Sequence, residues 1–246
     1  MAADTLSAGW TTVKTARPGR SSSCAGLSYA LPMASTATAG RSSGARRSEG
    51  TYDERRDLLA ESALTTLGQR GYAHTSLRDI AANSPFTHGV VHYYFRDKTE
   101  LITYCVRSYK ARCVHRYDDV VDAAGTAQEL VVGFADRLVE TIADEAPMHR
   151  LWYDLRTQAM FDANLRDDVL AIDADLEDMV WRVLRRYAEL SGRELAVTSS
   201  EAYAVFDGVF ERALLRHLAG QPDALPALHA TAQSLAAQLL TGHGRT

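Results

Sequence analysis

Cysteine is scarce in this chain of 246 residues, with three copies, Cys24, Cys105 and Cys113. An odd count closes no disulfide framework, and the spacing matches no metal-ligand pattern. On a single helix Cys105 and Cys113 would stand about two turns apart, too far to bridge, so both are expected to be packed thiols. No apolar run approaches the roughly 20 residues of a membrane span, and the first residues lack the apolar stretch of a secretion signal. A cytoplasmic protein with no membrane partner is therefore expected. No segment alternates apolar and polar residues as a half-buried strand does. There is no glycine-rich phosphate loop, and the eight histidines form no HExxH pair or cysteine–histidine cluster. His149 and Asp154, five residues apart, do not share a helical face, and the acids of residues 167–178 fit a solvated face. The expectation is no metal, no cofactor and no catalytic site.

What is present is a gradient of charge. The net charge is −4, but residues 1–50 carry six Lys/Arg against two Asp/Glu, residues 51–116 ten against seven, and residues 117–246 eleven against twenty-two. A basic amino-terminal half joined to an acidic remainder suits a protein that docks one end on a polyanion. The composition, 46% hydrophobic and 24% charged, is that of an ordinary folded chain.

Residues 1–50 are rich in Ser, Ala, Thr, Gly and Arg without an apolar period and are expected to be a disordered basic extension. Met33 offers a second place for translation to begin. Arg41, Arg46 and Arg47 make a short arm, either solvated or reaching phosphates or the minor groove. From Tyr52 onward the pattern is helical. Leu59, Ala63, Leu64 and Leu67 recur at helical spacing up to Gly71. Thr75 is placed as the N-cap of a second short helix and Thr87 as that of a third, with Ser84-Pro85 between them. Asp97 and Glu100 have the spacing of a capping box, opening a fourth helix expected to run to about Asp122. Further helices are expected at 127–144, 147–161, 165–191, 199–219 and 225–241. The fold class is all-α: a three-helix helix-turn-helix head at 51–97 and a larger helical ligand-binding and dimerisation body at 98–246.

Residues 75–101, TSLRDIAANSPFTHGVVHYYFRDKTEL, carry the informative pattern. Leu77, Ile80 and Ala81 can pack inward from one short helix, and Phe86, Val91, Tyr94 and Phe95 from the other. Thr87, His88, Val90, His92 and Tyr93 are left on or near an outer face, where such a motif meets the major groove. The stretch resembles the TetR family of bacterial regulators without a gap from Leu58 to Leu101, through Gly71-Tyr72, Thr75-Ser76, Asp79-Ile80-Ala81, Thr87, Gly89, Tyr94-Phe95 and Lys98. The resemblance implies a homodimer that binds a double-stranded DNA operator through its heads and a small-molecule effector through its body. It also implies a repressor released from a near-palindromic site by that effector; a repressor without a ligand, or an activator, fits the residues equally well. The alternative is a helical small-molecule carrier or enzyme whose first helices are structural only.

Two departures stand out. Ser84-Pro85 replaces the family's usual Ala-Gly in the turn, exchanging a residue free to take positive φ for one locked near −65°. His92 stands where Tyr is commoner. The expected DNA contacts are Thr75, Ser76, Thr87, His88, Val90, His92, Tyr93 and Lys98, with Lys98 the phosphate contact implied by the family; Thr75 and Thr87 serve equally well as caps alone. Lacking Arg, Gln or Asn before Arg96, the reading helix has none of the strong bidentate base contacts. In the body, Trp152, Tyr153, Arg156, Met160, Phe161 and Trp181 are expected to line an apolar pocket. Val205, Phe206, Val209, Phe210, Leu235 and Leu239 form apolar stripes on the last two helices and are the expected dimer interface.

Overall fold

The computed structural model describes residues 43–241, with side chains from Tyr52 onward. Cys24, Met33, Arg41 and the rest of the expected extension up to residue 42 lie outside the described residues.

The head is built from α1 (Ser43–Arg70), α2 (Leu77–Ala82) and α3 (His88–Tyr94). Residues 43–50, expected to be disordered, belong to α1. Ala45, Arg46, Arg47 and Glu49 are good helix formers, and they extend the helix past Gly44 and Gly50. Along α1, Leu59, Ala63 and Leu67 are fully buried, and they meet Leu77 and Ile80 of α2 and Val91 of α3, with Phe95 just beyond. Each of these large side chains contributes about 1.5–3 kcal/mol by leaving water. The helix stops at Gly71, whose φ of +77° suits glycine, and the Gly71 N–H donates to the Leu67 carbonyl at 2.8 Å.

The body follows as α4 (Lys98–Cys113), α5 (Asp118–Ala123), α6 (Ala127–Ala159), one 3-10 turn (Ala163–Leu165), α7 (Arg166–Ser191), α8 (Ser199–Leu218) and α9 (Ala224–Gln238). Helix α6 packs against α7, α8 and α9, and α1 of the head rests on α4 and α6. Among the described residues the only β-type pairing is an isolated bridge between Leu195 and Leu240. The described residues form the expected all-α head and body. None of its described helices is long and apolar enough to cross a membrane.

Two helix boundaries differ from expectation. The fourth helix ends at Cys113, not near Asp122, and a turn over 114–117 separates it from α5. No glycine or proline marks this break. The turn swings Tyr117 into the core, where its ring lies 4.9 Å from that of Phe134. It also frees Arg116 to pair with Glu145. Conversely, the helices expected at 127–144 and 147–161 are one helix, bent at Glu145 (φ −129°, ψ 23°) two residues before Pro147. Proline removes one amide donor and crowds the preceding turn, so α6 kinks and then continues.

Candidate nucleic-acid interface and effector cavity

Ser76, not Thr75, caps α2. Its hydroxyl accepts from the Asp79 N–H at 3.2 Å and the Asp79 carboxylate accepts from the Ser76 N–H at 2.9 Å, a reciprocal capping box. Hydrogen bonds from Ser76, with Arg70 beside it, hold Asp79 below the usual carboxylate range. Thr75 is buried and donates its hydroxyl to the Gly71 carbonyl at 2.8 Å, so its side chain braces the end of α1 and does not face outward.

The turn between α2 and α3 closes without a positive-φ glycine. Asn83 ends α2 at φ −101°, and the Ser84 hydroxyl donates to the Ala81 carbonyl at 3.3 Å while accepting from the Phe86 N–H at 3.2 Å. Ser84 thus supplies locally the hydrogen bonds that tie the turn, and Pro85 sits exposed beside it.

Thr87 caps α3, accepting from the Val90 N–H at 3.4 Å. With the helix fixed there, Val91 and Tyr94 face the core and Val90 is half-buried against it. Thr87, His88, Gly89, His92 and Tyr93 are exposed. The His88 and His92 rings meet edge to face at 4.5 Å, one helical turn apart. Tyr93 is 72% exposed yet held in place, its ring edge-on to Tyr52 at 6.0 Å and to Tyr94 at 5.0 Å. A shallow concavity between α1 and α3 is lined by Tyr52, Arg55, Thr87, Gly89 and Tyr93. The sequence reading passed over Arg55 and Tyr52 because they precede the motif; only packing brings them to its edge.

At the start of α4, Asp97 accepts from the Glu100 N–H at 2.8 Å. Glu100 reaches back one residue further than a capping box, accepting from the Arg96 N–H and from Arg56. Lys98 is half-buried, with its ammonium 4.3 Å from the centre of the Tyr72 ring. Partial desolvation lowers its pKa, against the pull of Asp154. Asp154 itself accepts from the Tyr72 N–H at 2.6 Å, and Arg150 donates to the carbonyls of Gly68 and Gln69, the latter at 3.0 Å. One face of α6 therefore caps the carboxy-terminal end of the head's first helix.

The adjoining face of α6 lines a partly open cavity, about 570 Å³ of empty space counting the solvent at its mouth, walled by α4, α7 and α8. Trp152 and Tyr153 line it. Arg156 is off the lining; it donates at 2.6 Å to Asp207, which does line the cavity and also accepts from the Tyr153 hydroxyl at 2.9 Å. Met160 and Phe161 do not line it: they are 72% and 83% exposed, because α6 ends at Ala159 and the chain turns outward. Trp181 is half-buried off the lining, while its neighbours Met179 and Val180 face the cavity.

Sequence reasoning missed Lys110, Arg116, Phe134, Leu138 and His149, all of which line the cavity. The available signal was a lysine inside the apolar stripe of Val106, Tyr109 and Cys113. Phe206, expected at a dimer interface, is buried against Phe134 at 5.5 Å and lines the cavity, as does half-buried Phe210. Val209, Leu235 and Leu239 are half-buried against the chain's own core. The large apolar side chains that α8 leaves exposed are Val205, Leu215 and Leu218.

Residues 59–105 match the family model of the bacterial regulatory proteins of the tetR family. The HTH-type transcriptional repressor KstR2 of Mycolicibacterium smegmatis is 24% identical over 165 residues, covering 54% of this chain and 79% of that protein. The fold is similar to that of a TetR transcription regulator from Haloarcula marismortui, with a TM-score of 0.64 at 17% identity over 77% of this chain and 100% of that one. It is also similar to the transcriptional regulator FadR from Bacillus subtilis in complex with stearoyl-CoA, with a TM-score of 0.59 at 16% identity over 73% and 96% of the two chains. The head thus matches the tetR family of bacterial regulatory proteins over residues 59–105, and the helical body behind it has a fold similar to that of solved regulators of that kind.

Proposed function

We propose that the chain is a homodimeric, cytoplasmic repressor that leaves a near-palindromic operator when a small molecule fills the body's cavity. The observation that carries this reading is the outer face of α3, free of acidic residues, on which Thr87, His88, His92 and Tyr93 stand exposed on a rigidly packed head. On this reading Ser76 and Thr87 present hydroxyls and helix amino termini to phosphate, and His88, Val90, His92 and Tyr93 meet base edges and sugar. Arg55 and Lys98 contribute charge to the backbone contacts; Lys98 first has to leave the Tyr72 ring. The proposed partner surface for the second subunit is the exposed stripe of α8, Val205, Leu215 and Leu218, where Gly208 leaves open space for close approach.

Coupling follows from the shape of α6. His149, Trp152 and Tyr153 face the cavity while Arg150 and Asp154, on the adjoining face, hold the end of α1. A ligand that shifts this segment alters how the head is held, and so favours a state with wrongly spaced heads. A mobility-shift assay with genomic fragments tests the reading. Salt-dependent, sequence-selective binding that weakens by about tenfold or more in Tyr93→Ala, with the dimer intact, supports it. Sequence-blind or absent binding by the native protein contradicts it.

A further inference from the structure

The cavity holds polar groups that the protein itself leaves without partners. Lys110 is 4% exposed, yet no carboxylate among the described residues lies within ion-pair distance of its ammonium. The two nearest acids are engaged elsewhere. Glu145 is taken by Arg116 and by the Tyr109 hydroxyl at 2.6 Å, and Asp207 by Arg156 and Tyr153. The Lys110 ammonium instead lies over ring faces, with Trp152 at 5.2 Å and Tyr109 at 5.7 Å. His149 and Trp152, one helical turn apart on α6 and likewise buried, line the same cavity, and each has a ring nitrogen, Nε2 and Nε1, with no hydrogen-bond partner.

A buried cation and a buried indole N–H without partners are costly for a folded protein, so their persistence in one cavity points to a group that arrives from outside. Lysine and tryptophan are donors only, so that group must be an acceptor. The cation makes an anion the best complement, and Arg116 beside it adds to the positive field. The remaining walls, Phe134, Leu138, Leu176, Val180 and Phe206, are hydrocarbon and ask for an apolar body. Burial draws the Lys110 pKa down to about 8, against the opposing pull of Cys113, Asp207 and Glu145, which is the mark of an ammonium short of a counter-charge.

We propose that this cavity is a carboxylate site whose ligand is a compact hydrophobic acid. The Lys110 ammonium and the Trp152 and His149 ring nitrogens hold the carboxylate, and the apolar walls hold the hydrocarbon. The proposal rests on the effector reading of the cavity and specifies its chemistry.

The experiment titrates the full chain by calorimetry with hexanoate, octanoate, decanoate and 3-cyclohexylpropionate, and with 1-octanol as the neutral counterpart of octanoate. At least one acid is expected to bind, and to bind at least tenfold more tightly than the alcohol does. Lys110→Met should erase that preference while leaving the unliganded protein at least as thermally stable as the native one, since it removes an unpaired buried charge. Trp152→Phe keeps the ring, removes the N–H and should weaken the acid several-fold without touching the alcohol; it carries the test should Lys110→Met not fold. Binding by none of the acids, equal binding of octanoate and octanol, or native octanoate affinity in the variants overturns the proposal. A mobility shift run beside it separates the two claims. Acid binding without operator release removes the effector reading and leaves the carboxylate site, whereas release by octanol but not by octanoate does the reverse.

Discussion

Tyr93 shows how an exposed side chain is made ready for a partner. Its ring packs edge-on against Tyr52 and Tyr94, so little rotamer freedom remains to be lost on binding. Tyr93→Ala is expected to weaken operator binding by about tenfold or more, the loss of a contact worth about 1–3 kcal/mol. The melting temperature should barely move, because most of the residue is in solvent. His149 gives a pH signature of the opposite kind. Burial, with Lys110 and Arg116 nearby, holds it neutral well below the usual histidine range. In the unfolded chain it takes a proton below about pH 6.5. The unfolded state then binds more protons than the folded one, so stability falls as pH drops from about 6.5. Urea unfolding between pH 5 and 8 should show this limb in the native protein, and His149→Phe should flatten it. The carboxylates held low by hydrogen bonds, Asp79 and Glu100, add their own loss only as pH falls through the ordinary carboxylate range and below it, so above about pH 5 the limb belongs to the histidine. Most outward residues of α3 were legible in the sequence because an amphipathic helix fixes which positions turn inward. Lys110 and His149 were not, since polar residues on an apolar stripe read as surface until the tertiary packing is known.

Among the elements, the junction of α1 with α6 is one place where head and body meet through named atoms, beside the contacts of α1 with α4. Gly71 is left-handed at φ +77°, and a Cβ there would lie 3.0 Å from the Asp154 carboxylate. Gly71→Ala is expected to cost about 1–2 kcal/mol from the backbone alone, measurable by thermal or urea unfolding. Asp154→Ala leaves the Tyr72 N–H without its acceptor, which should cost about 1–3 kcal/mol where solvent cannot reach it. It should also blunt the effect of any cavity ligand on operator affinity while the ligand still binds. Calorimetry and mobility shifts on the same variant check both halves. The starts of α2, α6 and α8 each carry a reciprocal box, Ser76 with Asp79, Thr126 with Glu129 and Thr198 with Glu201, because capping is local chemistry. Even so, adjacent Thr75 and Ser76 are equally good caps in sequence. What separates them is the Gly71 carbonyl, which takes the Thr75 hydroxyl. The break at 114–117 left no mark at all, since it is made by burying Tyr117 and not by a turn residue.

At the scale of the molecule, the charge gradient and the exposed stripe of α8 define what the chain is built to meet. The acidic body keeps the basic amino-terminal half as the end that docks on a polyanion. Leu215, 70% exposed, lies on α8 with Val205 and Leu218, and a second copy is the partner proposed for this stripe. Leu215→Glu is expected to yield monomers by sedimentation and to lower operator affinity far more than the loss of any one DNA contact, because a single head reads too little to hold its site. The central claim is that this protein is a sequence-selective DNA reader. Fluorescence anisotropy of the native protein with genomic fragments, against competitor DNA across a range of salt, tests it most directly. The account predicts a small set of fragments bound at least a thousandfold more tightly than competitor, with affinity falling steeply as salt rises. Equal affinity for every fragment, or none for any, would contradict it.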